Sequence, residues 1–532
     1  MFFFKKRSRS AARSKTREEP MLQQAVTDGT ALSEQLDMNL SIIRERTGDS
    51  PDIIIRRLDQ VVGCEIRAAV IFIDGLVKDQ IINHSIMDSL TQVSSMEIPP
   101  SPTPTQIVSL IQNRFLSNGT VSELNSMDQL LNAVLAGNTA ILVNGSVKGV
   151  LASSFGGEQR SVEEPQSQTV IRGPKEGFTE NIRTNTALIR RKIKSPDLWI
   201  INRKIGRQTQ TDVSVMYLHG IADEKIVNEI LQRLDRIDTD SILESGYIEE
   251  FIQDRTFTPF PTITNTERPD AVAGAVLEGK VAILVDGTPF VLIAPITIFK
   301  LFQSSEDYYQ KHDIATFLRL LRMVSFVISM LLPSLYIAIT TFHQQMLPTL
   351  LLISLAAQRE GVPFPALVEA FAMEITFEVL REAGVRMPRA IGSAISIVGA
   401  LVLGQAAVQA GLVSAAMVII VSFTAIASFV APSISISNSA RLLRFGFMIL
   451  AATLGLFGII AGMIAVLIHL SGLRSFGIPY LVPVAPFIPS DQKDTLIRVP
   501  WWAMKRRPRL INTQNVTRQS KNLKPSPSED NE

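Results

Sequence analysis

The chain has a single cysteine, Cys64, in 532 residues. An intramolecular disulfide, a multi-thiolate zinc site and an iron–sulfur cluster are thereby excluded, and the water-soluble part is expected in a reducing or redox-indifferent compartment. Histidine is also scarce. His84, His219, His312, His343 and His469 lie far apart, and none stands at metal-ligand spacing from another. No charge of one sign dominates, since 52 Lys and Arg face 50 Asp and Glu. The chain therefore carries no overall field of the kind that draws a nucleic acid, and no nucleic-acid partner is expected. It also lacks a Gly-x-x-x-x-Gly-Lys-Ser/Thr phosphate loop, His-Glu-x-x-His, Gly-x-Ser-x-Gly, and a Gly-x-Gly-x-x-Gly following a strand. No enzyme class is indicated, and neither a cofactor nor a metal is expected. Charged residues are only 19% against 46% hydrophobic, and the mean hydropathy of +0.21 points toward lipid.

The shortage of charge is concentrated in the C-terminal third. A bilayer core of about 30 Å needs about 20 apolar helical residues, a length met by 323–341 and 446–470. The block 390–440 is long enough for two crossings. It divides into 391–408 and 412–430, because Gln405, Gln409 and Gly411 cluster where a tight hairpin could turn. Between the first two of these four spans, 345–357 is too short to cross and reads as re-entrant or interfacial. Pro365 suits the first turn of a helix running to Leu380, with Val368, Phe371, Ala372, Ile375 and Val379 on one stripe. Glu374, Glu378 and Arg381 fall off that stripe as interfacial charge, so 345–380 is expected at headgroup level. A crossing within a helix bundle, with the carboxylates facing a wet interior, stays open.

Both ends are basic. Lys5, Lys6, Arg7, Arg9, Arg13, Lys15 and Arg17 crowd the start, and Lys505, Arg506, Arg507 and Arg509 follow the last span. Four spans put both on one side, as the positive-inside preference requires. The apolar run of 1–4 is too short for a signal peptide, so the N-terminal region is expected to face the cytoplasm.

That N-terminal region is duplicated. AVLAGNTAILVNG at 133–145 matches AVLEGKVAILVDG at 275–287, and AVIFIDG at 69–75 pairs with SVMYLHG at 214–220. Each copy should hold a strand, a helix, and a second helix leading into a hairpin that turns at Asn144-Gly145 or Asp286-Gly287. A proline-rich stretch, 95–105, makes an exposed loop in the first copy. The expected class is α/β plus α-helical membrane: two duplicated cytoplasmic α/β subdomains followed by a multi-span transmembrane helical domain. The boundaries are a basic, mostly disordered tail at 1–50, subdomains at 51–178 and 179–310, the transmembrane domain at 311–473, and a cytoplasmic tail at 474–532.

Small and polar residues inside the apolar third are the best functional lead. Gly392, Ser396, Ala400 and Gly404 recur at four-residue steps, which lets helix backbones approach closely. Gln405 and Gln409 share a helix face, with Ser414 just past the turn, and such groups can replace part of an ion's hydration shell in a pore. Interhelical hydrogen-bonding is the other reading of the amides. No acidic ring or arginine ladder is evident.

Four long blocks carry a resemblance: FGGEQRSVEEP at 155–165, QTVIRGPKEGF at 168–178, FPTITNTERPDAVAGAVLEGKVAILVDG at 260–287 and REAGVRMPRAIGSAISIVGALVLGQAAVQAGLVSAA at 381–416. From about 52 to 500 the chain resembles the A subunits of GerA-type spore germinant receptors. The resemblance implies a multi-pass subunit in the spore inner membrane, beside a transporter-like B subunit and a lipoprotein C subunit. It further implies homo-oligomerisation into an ion-conducting pathway opened by a nutrient. A non-conducting scaffold that positions the B subunit is the competing function.

Overall fold

A computed structural model describes residues 31–61, 64–91, 102–115, 120–156, 164–165, 168–386, 404–509, 511, 515–520 and 523–525. It divides into two compact units, one of Met1–Ile43, Ile54–Ile73 and Asp79–Phe155, the other of Arg44–Ile53, Asp74–Lys78 and Gly156–Glu532.

In the first unit, β1 (Ile53–Leu58), β2 (Ala68–Ile73), β3 (Val121–Leu124), β4 (Thr139–Val143) and β5 (Gly149–Ala152) form a sheet in the order β1-β2-β4-β5-β3. β2 and β4 pair antiparallel, Ala68 opposite Val143, and are buried along their whole length. Continuous apolar runs such as AAVIFI and TAILV suit strands covered on both faces. Helix α1 (Leu36–Thr47) precedes the sheet with Leu36, Leu40 and Ile43 buried. The expectation of a mostly disordered 1–50 is corrected here for 36–47: apolar residues about one helical turn apart give this segment a face to bury. Residues 1–30 lie outside the described residues. The proline-rich stretch ends in α2 (Pro104–Leu110), where Thr103 and Gln106 form a capping box. Its portion 92–101 lies outside the described residues.

The second unit repeats the plan. β6 (Leu198–Ile205), β7 (Thr211–Leu218), β8 (Thr264–Thr266), β9 (Val281–Val285) and β10 (Val291–Ala294) are ordered β6-β7-β9-β10-β8. Odd-numbered residues Val213, Val215, Ile283 and Val285 face one core and even-numbered Met216, Leu218, Ala282 and Leu284 the other, as a two-residue side-chain period demands. The two hairpin turns do the same job. In the first unit Asn144 Oδ1 accepts from Leu36 N–H (3.1 Å) and Gly145 N–H donates to the Glu34 carbonyl (2.8 Å). In the second, Asp286 Oδ1 accepts from Ile182 N–H (3.1 Å) and Gly287 N–H donates to the Glu180 carbonyl (2.7 Å). Gly145 and Gly287 both have φ above +80°, a conformation glycine takes without steric cost. Each repeat therefore starts at a helix, α1 in one case and α3 (Ile182–Lys192) in the other, which moves the first repeat's start ahead of the expected residue 51.

The second unit continues into helices α4 (His312–Thr341), α5 (Thr349–Glu360), α6 (Ala366–Arg386), α7 (Gly404–Gln409), α8 (Ala415–Phe429) and α9 (Ile434–Gly472). Among the described helices, α4 and α9 are long and apolar enough to cross a bilayer, and α8 is shorter. α9, however, is broken at Gly455, where φ is +62° and ψ −141°. A Cβ placed on Gly462 would meet Phe447 and Leu450, and one on Gly458 would meet the Leu450 carbonyl. Ile436 and Leu470 share one packed cluster, although a straight helix would hold them about 50 Å apart. The chain thus reverses at Gly455, and the two arms run antiparallel. The stretch 446–470, expected as one crossing, is divided by this reversal. Helix α4 holds the expected 323–341 but begins earlier, at His312, and α8 lies within 412–430. Of 391–408, only the part from Gly404 is described. Outward residues of these helices, such as Phe317, Val324, Ile419, Phe423, Ile464 and Leu467, are large and apolar.

Gly455→Val should unfold the hairpin reversal. It imposes a positive φ on a β-branched residue and sets a Cβ 2.7 Å from His343 Cε1, for a loss of at least about 1–3 kcal/mol from the backbone alone. Gly446→Ala, helical and facing open space, should leave stability within about 1 kcal/mol of the parent. Thermal unfolding of the detergent-solubilised chain compares the two; equal melting temperatures would contradict the reversal.

Candidate functional site

Several charged residues of the helical region point inward. Glu374 on α6 is fully buried and ion-paired with the equally buried Arg444 on the first arm of α9, whose Nε donates to the Ser329 carbonyl of α4 at 2.7 Å. One turn away, Glu378 pairs with Arg441, whose Nη1 donates to Asn438 Oδ1 at 2.9 Å. These contacts run α6 antiparallel to the α9 arm. Arg381 is half-buried with its guanidinium 5.4 Å from the centre of the Phe429 ring, a cation–π contact. Val368, Ile375 and Val379 from the predicted stripe are exposed, on the side away from these ion pairs. The sequence pattern marks Glu374, Glu378 and Arg381 as charge off the apolar stripe and, with four spans, leaves Arg441 and Arg444 at the outer side; it does not pair the carboxylates with those arginines. The available signal was spacing: two acids four apart on α6 face two bases three apart on α9, neighbouring positions on each helix surface.

Glu369 escaped the sequence reading altogether. It is fully buried, and its Oε1 accepts from both Ser414 N–H (2.5 Å) and Ser414 Oγ–H (2.6 Å). Ser414 caps α8, its Oγ accepting from Met417 N–H at 3.2 Å. A carboxylate here is favoured by the free N–H groups and partial positive charge of a helix start. Gln405 and Gln409, by contrast, are exposed on α7. The structure does not bring them together with Ser414, which turns inward. Gly404 is buried with a prospective Cβ 3.6 Å from Val418 of α8, while Gly392, Ser396 and Ala400 lie outside the described residues.

A second ionic cluster sits where α4 begins. Arg319, fully buried, donates to Asp307 (3.3 Å), the Asp494 carbonyl (2.7 Å) and Asp494 Oδ1 (3.1 Å), and Arg322 donates to Asp307 Oδ1 (2.7 Å). The Tyr308 hydroxyl donates to Asp494 Oδ2 at 2.9 Å. With both arginines turned inward, the outward side of this end of α4 stays apolar, which is why charge alone misplaces the start of the helix. Nearby, Glu278 is ringed by Arg518 (3.2 Å), Lys280 (3.6 Å) and Lys300 (3.8 Å). Burial opposes its ionisation, but Lys300, Lys280 and Arg518 outweigh burial and hold its pKa at about 2. Burial and the repulsion of Lys300 bring Lys280 down to about 8, and burial raises Asp494.

A family model described as Bacillus/Clostridium GerA spore germination protein matches residues 34–510. Spore germination protein KA of Bacillus subtilis (strain 168) is 51% identical over 497 residues, 93% of this chain and 90% of that protein. Spore germination protein GerLA of Bacillus cereus is 41% identical over 91% of this chain and 96% of its own length. A B. subtilis (strain 168) relative known as uncharacterized membrane protein YfkQ is 43% identical over 94% and 96%. Among solved structures, the N-terminal domain of the A subunit of the Bacillus megaterium spore germinant receptor GerK3 matches at 43% identity and a TM-score of 0.39, covering 50% of this chain and 97% of that one.

Two outcomes are expected from these clusters. Glu374→Gln strands Arg444 and should cost about 3–5 kcal/mol, whereas replacing both partners by apolar residues of similar volume should recover most of that loss; chemical denaturation of the solubilised chain measures both. Glu278 has a folded pKa below its ordinary 4.5, so its contribution is complete above pH 4.5 and fades as pH falls toward about 2. The melting-temperature gap between wild type and Glu278→Gln should therefore close over that window. Asp494, raised by burial and in part by Glu278 itself, acts with the opposite sign, and its smaller shift in Glu278→Gln narrows the gap.

Proposed function

The chain belongs to the GerA family of spore germination proteins, and from that premise we propose that it is the A-type subunit of a nutrient germinant receptor and oligomerises into a germinant-gated ion pathway. Several helical passes cross the spore inner membrane, and the duplicated α/β units and both tails face the cytoplasm, which in the spore is the core. A transporter-like B subunit and a lipoprotein C subunit complete the receptor, and the surrounding lipid covers the remaining apolar face. The subunit acts by conformational signalling, without catalysis.

One observation supports this reading above the others. Gln405 and Gln409 lie exposed on α7, a helix joined by a tight turn to an α8 that presents Ile419, Phe423 and Ile426 outward. Exposed amides against hydrocarbon are costly, so a surface bearing them calls for water or another protein, and a ring of subunits around an aqueous path provides both. Gly404, on the same helix, packs against α8 and sets where the amides stand. The name of YfkQ, a membrane protein, agrees with the location.

In receptor complexes reconstituted into vesicles, Gln405→Leu and Gln409→Leu should lower cation flux or shift its selectivity while the complex still assembles. Gly404→Leu should disrupt assembly and germination together, and Gly404→Ala should spare both. If neither glutamine change alters flux or selectivity, these residues are not in the pathway. If the wild-type complex passes no ions yet restores germination to spores lacking the subunit, the protein is the scaffold instead.

A further inference from the structure

Residues 474–532, expected as a tail, fold back in part onto the start of α4. Arg498 N–H donates to Thr316 Oγ1 (3.1 Å), Gln303 Nε2 to the Asp494 carbonyl (2.6 Å), and Trp501 Nε1–H to the Tyr308 carbonyl (3.3 Å). With the contacts of Arg319 to Asp494, these bonds fix 494–501 beside the first two turns of α4. Depth follows from length. α4 has 30 residues, about 45 Å against a hydrocarbon core of about 30 Å. Its far end adjoins the reversal of α9, where a Cβ on Gly455 would lie 2.7 Å from His343 Cε1. Counted back about 20 residues from that end, the hydrocarbon stops near Arg322, and Thr316 and Arg319 stand about 5–9 Å beyond it, at headgroup depth.

The outward side chains of this segment are of two kinds. Ile497 and Trp501 are 57% and 48% exposed, and at the same level α4 exposes Ile314 and Phe317. Lys493, Lys505, Arg506 and Arg509 are exposed as well, and none has a carboxylate partner among the described residues. Lys493, Lys505 and Arg506 converge on a cavity of about 290 Å³. Its acidic lining is already engaged: Glu278 by Arg518, Lys280 and Lys300, Asp494 by Arg319 and Tyr308, and Asp491 Oδ2 by Arg509 N–H (2.9 Å).

We propose that 493–509 forms a foot that binds anionic phospholipid of the cytoplasmic leaflet, with Ile497 and Trp501 entering the interface and the four cations meeting lipid phosphates. Tryptophan, with an apolar body and a polar edge, settles at the membrane–water boundary, and basic clusters directly cytoplasmic of a spanning helix draw anionic lipid. Water would satisfy the cations but not the apolar side chains between them, and hydrocarbon the reverse; a charged headgroup layer satisfies both. The depth of the foot rests on the membrane placement proposed above, and its chemistry is the same whether or not the receptor conducts.

The test uses the full-length chain carrying Cys64→Ser, reconstituted into vesicles of phosphatidylcholine with or without phosphatidylglycerol. A fluorophore is attached through Ile497→Cys or, as a reference, through Phe423→Cys on the outward side of α8. With phosphatidylglycerol present, a spin label on the lipid headgroup should quench the probe at 497, while aqueous iodide should not reach it. Each cation removed should lower the ratio of seated to lifted segment about fivefold. Lys505→Gln combined with Arg506→Gln should therefore restore most of the iodide quenching, as should vesicles of phosphatidylcholine alone. The probe at 423 should be quenched by a spin label on the acyl chain in every case. Iodide quenching at 497 in both lipids, with 423 still in the hydrocarbon, would overturn the foot alone. A probe at 497 shielded from both quenchers would mark a protein surface there, such as a second copy, and would overturn it too. So would lipid quenching at 497 that neither the substitutions nor the change of lipid alters. Loss of acyl-chain quenching at 423 would remove the membrane placement and the foot together.

Discussion

An ionised carboxylate or guanidinium inside an apolar helix bundle is tolerable only opposite a counter-charge or a set of convergent dipoles. The helical region of this protein is organised around that requirement. Glu374 meets Arg444, Glu378 meets Arg441, and Glu369 meets the capped start of α8. The first two contacts join α6 to α9 and the third joins α6 to α8, so the register of α6 against α8 and α9 is set by electrostatics rather than by close packing alone. At the base of α4 the same rule turns Arg319 and Arg322 inward toward Asp307 and Asp494. The outward surface is left to large apolar side chains, the inverse of a soluble bundle.

The α/β units obey a different constraint. Their central strands are buried on both faces, so side chains alone do not distinguish the faces, and register passes to the turns. Asn144 with Gly145, and Asp286 with Gly287, supply a positive-φ turn and a side-chain oxygen that receives the first helix of the repeat. The same geometry recurs in both repeats, with the amide exchanged for a carboxylate. Because that oxygen only accepts, the exchange preserves the contact.

How much of this was legible depends on the range of the interaction. The hairpin turns, the apolar strands and α4 were legible because local period and turn chemistry encode them. α1 was lost under the basic tail, although Leu36, Leu40 and Ile43 recur on a helical spacing. The reversal at Gly455 was hidden because a glycine in an apolar run also fits a continuous span, and only Phe447 meeting Gly462 reveals the fold-back. Of the candidate site, Glu374, Glu378 and Ser414 were singled out, but their partners were not. A carboxylate's meaning lies in the opposing group, and Arg444 is 70 residues away in the chain.

By itself, then, the sequence determined composition, repeat and periodicity: an apolar C-terminal third, two copies of one α/β unit, and the family to which the four long blocks belong. These follow from neighbours along the chain. Which charges are paired and where an apolar helix doubles back were decided only by the tertiary structure, because each depends on groups brought together across long stretches of chain. Burial fixes their electrostatic cost, and burial is a property of the packed helices, not of any one segment.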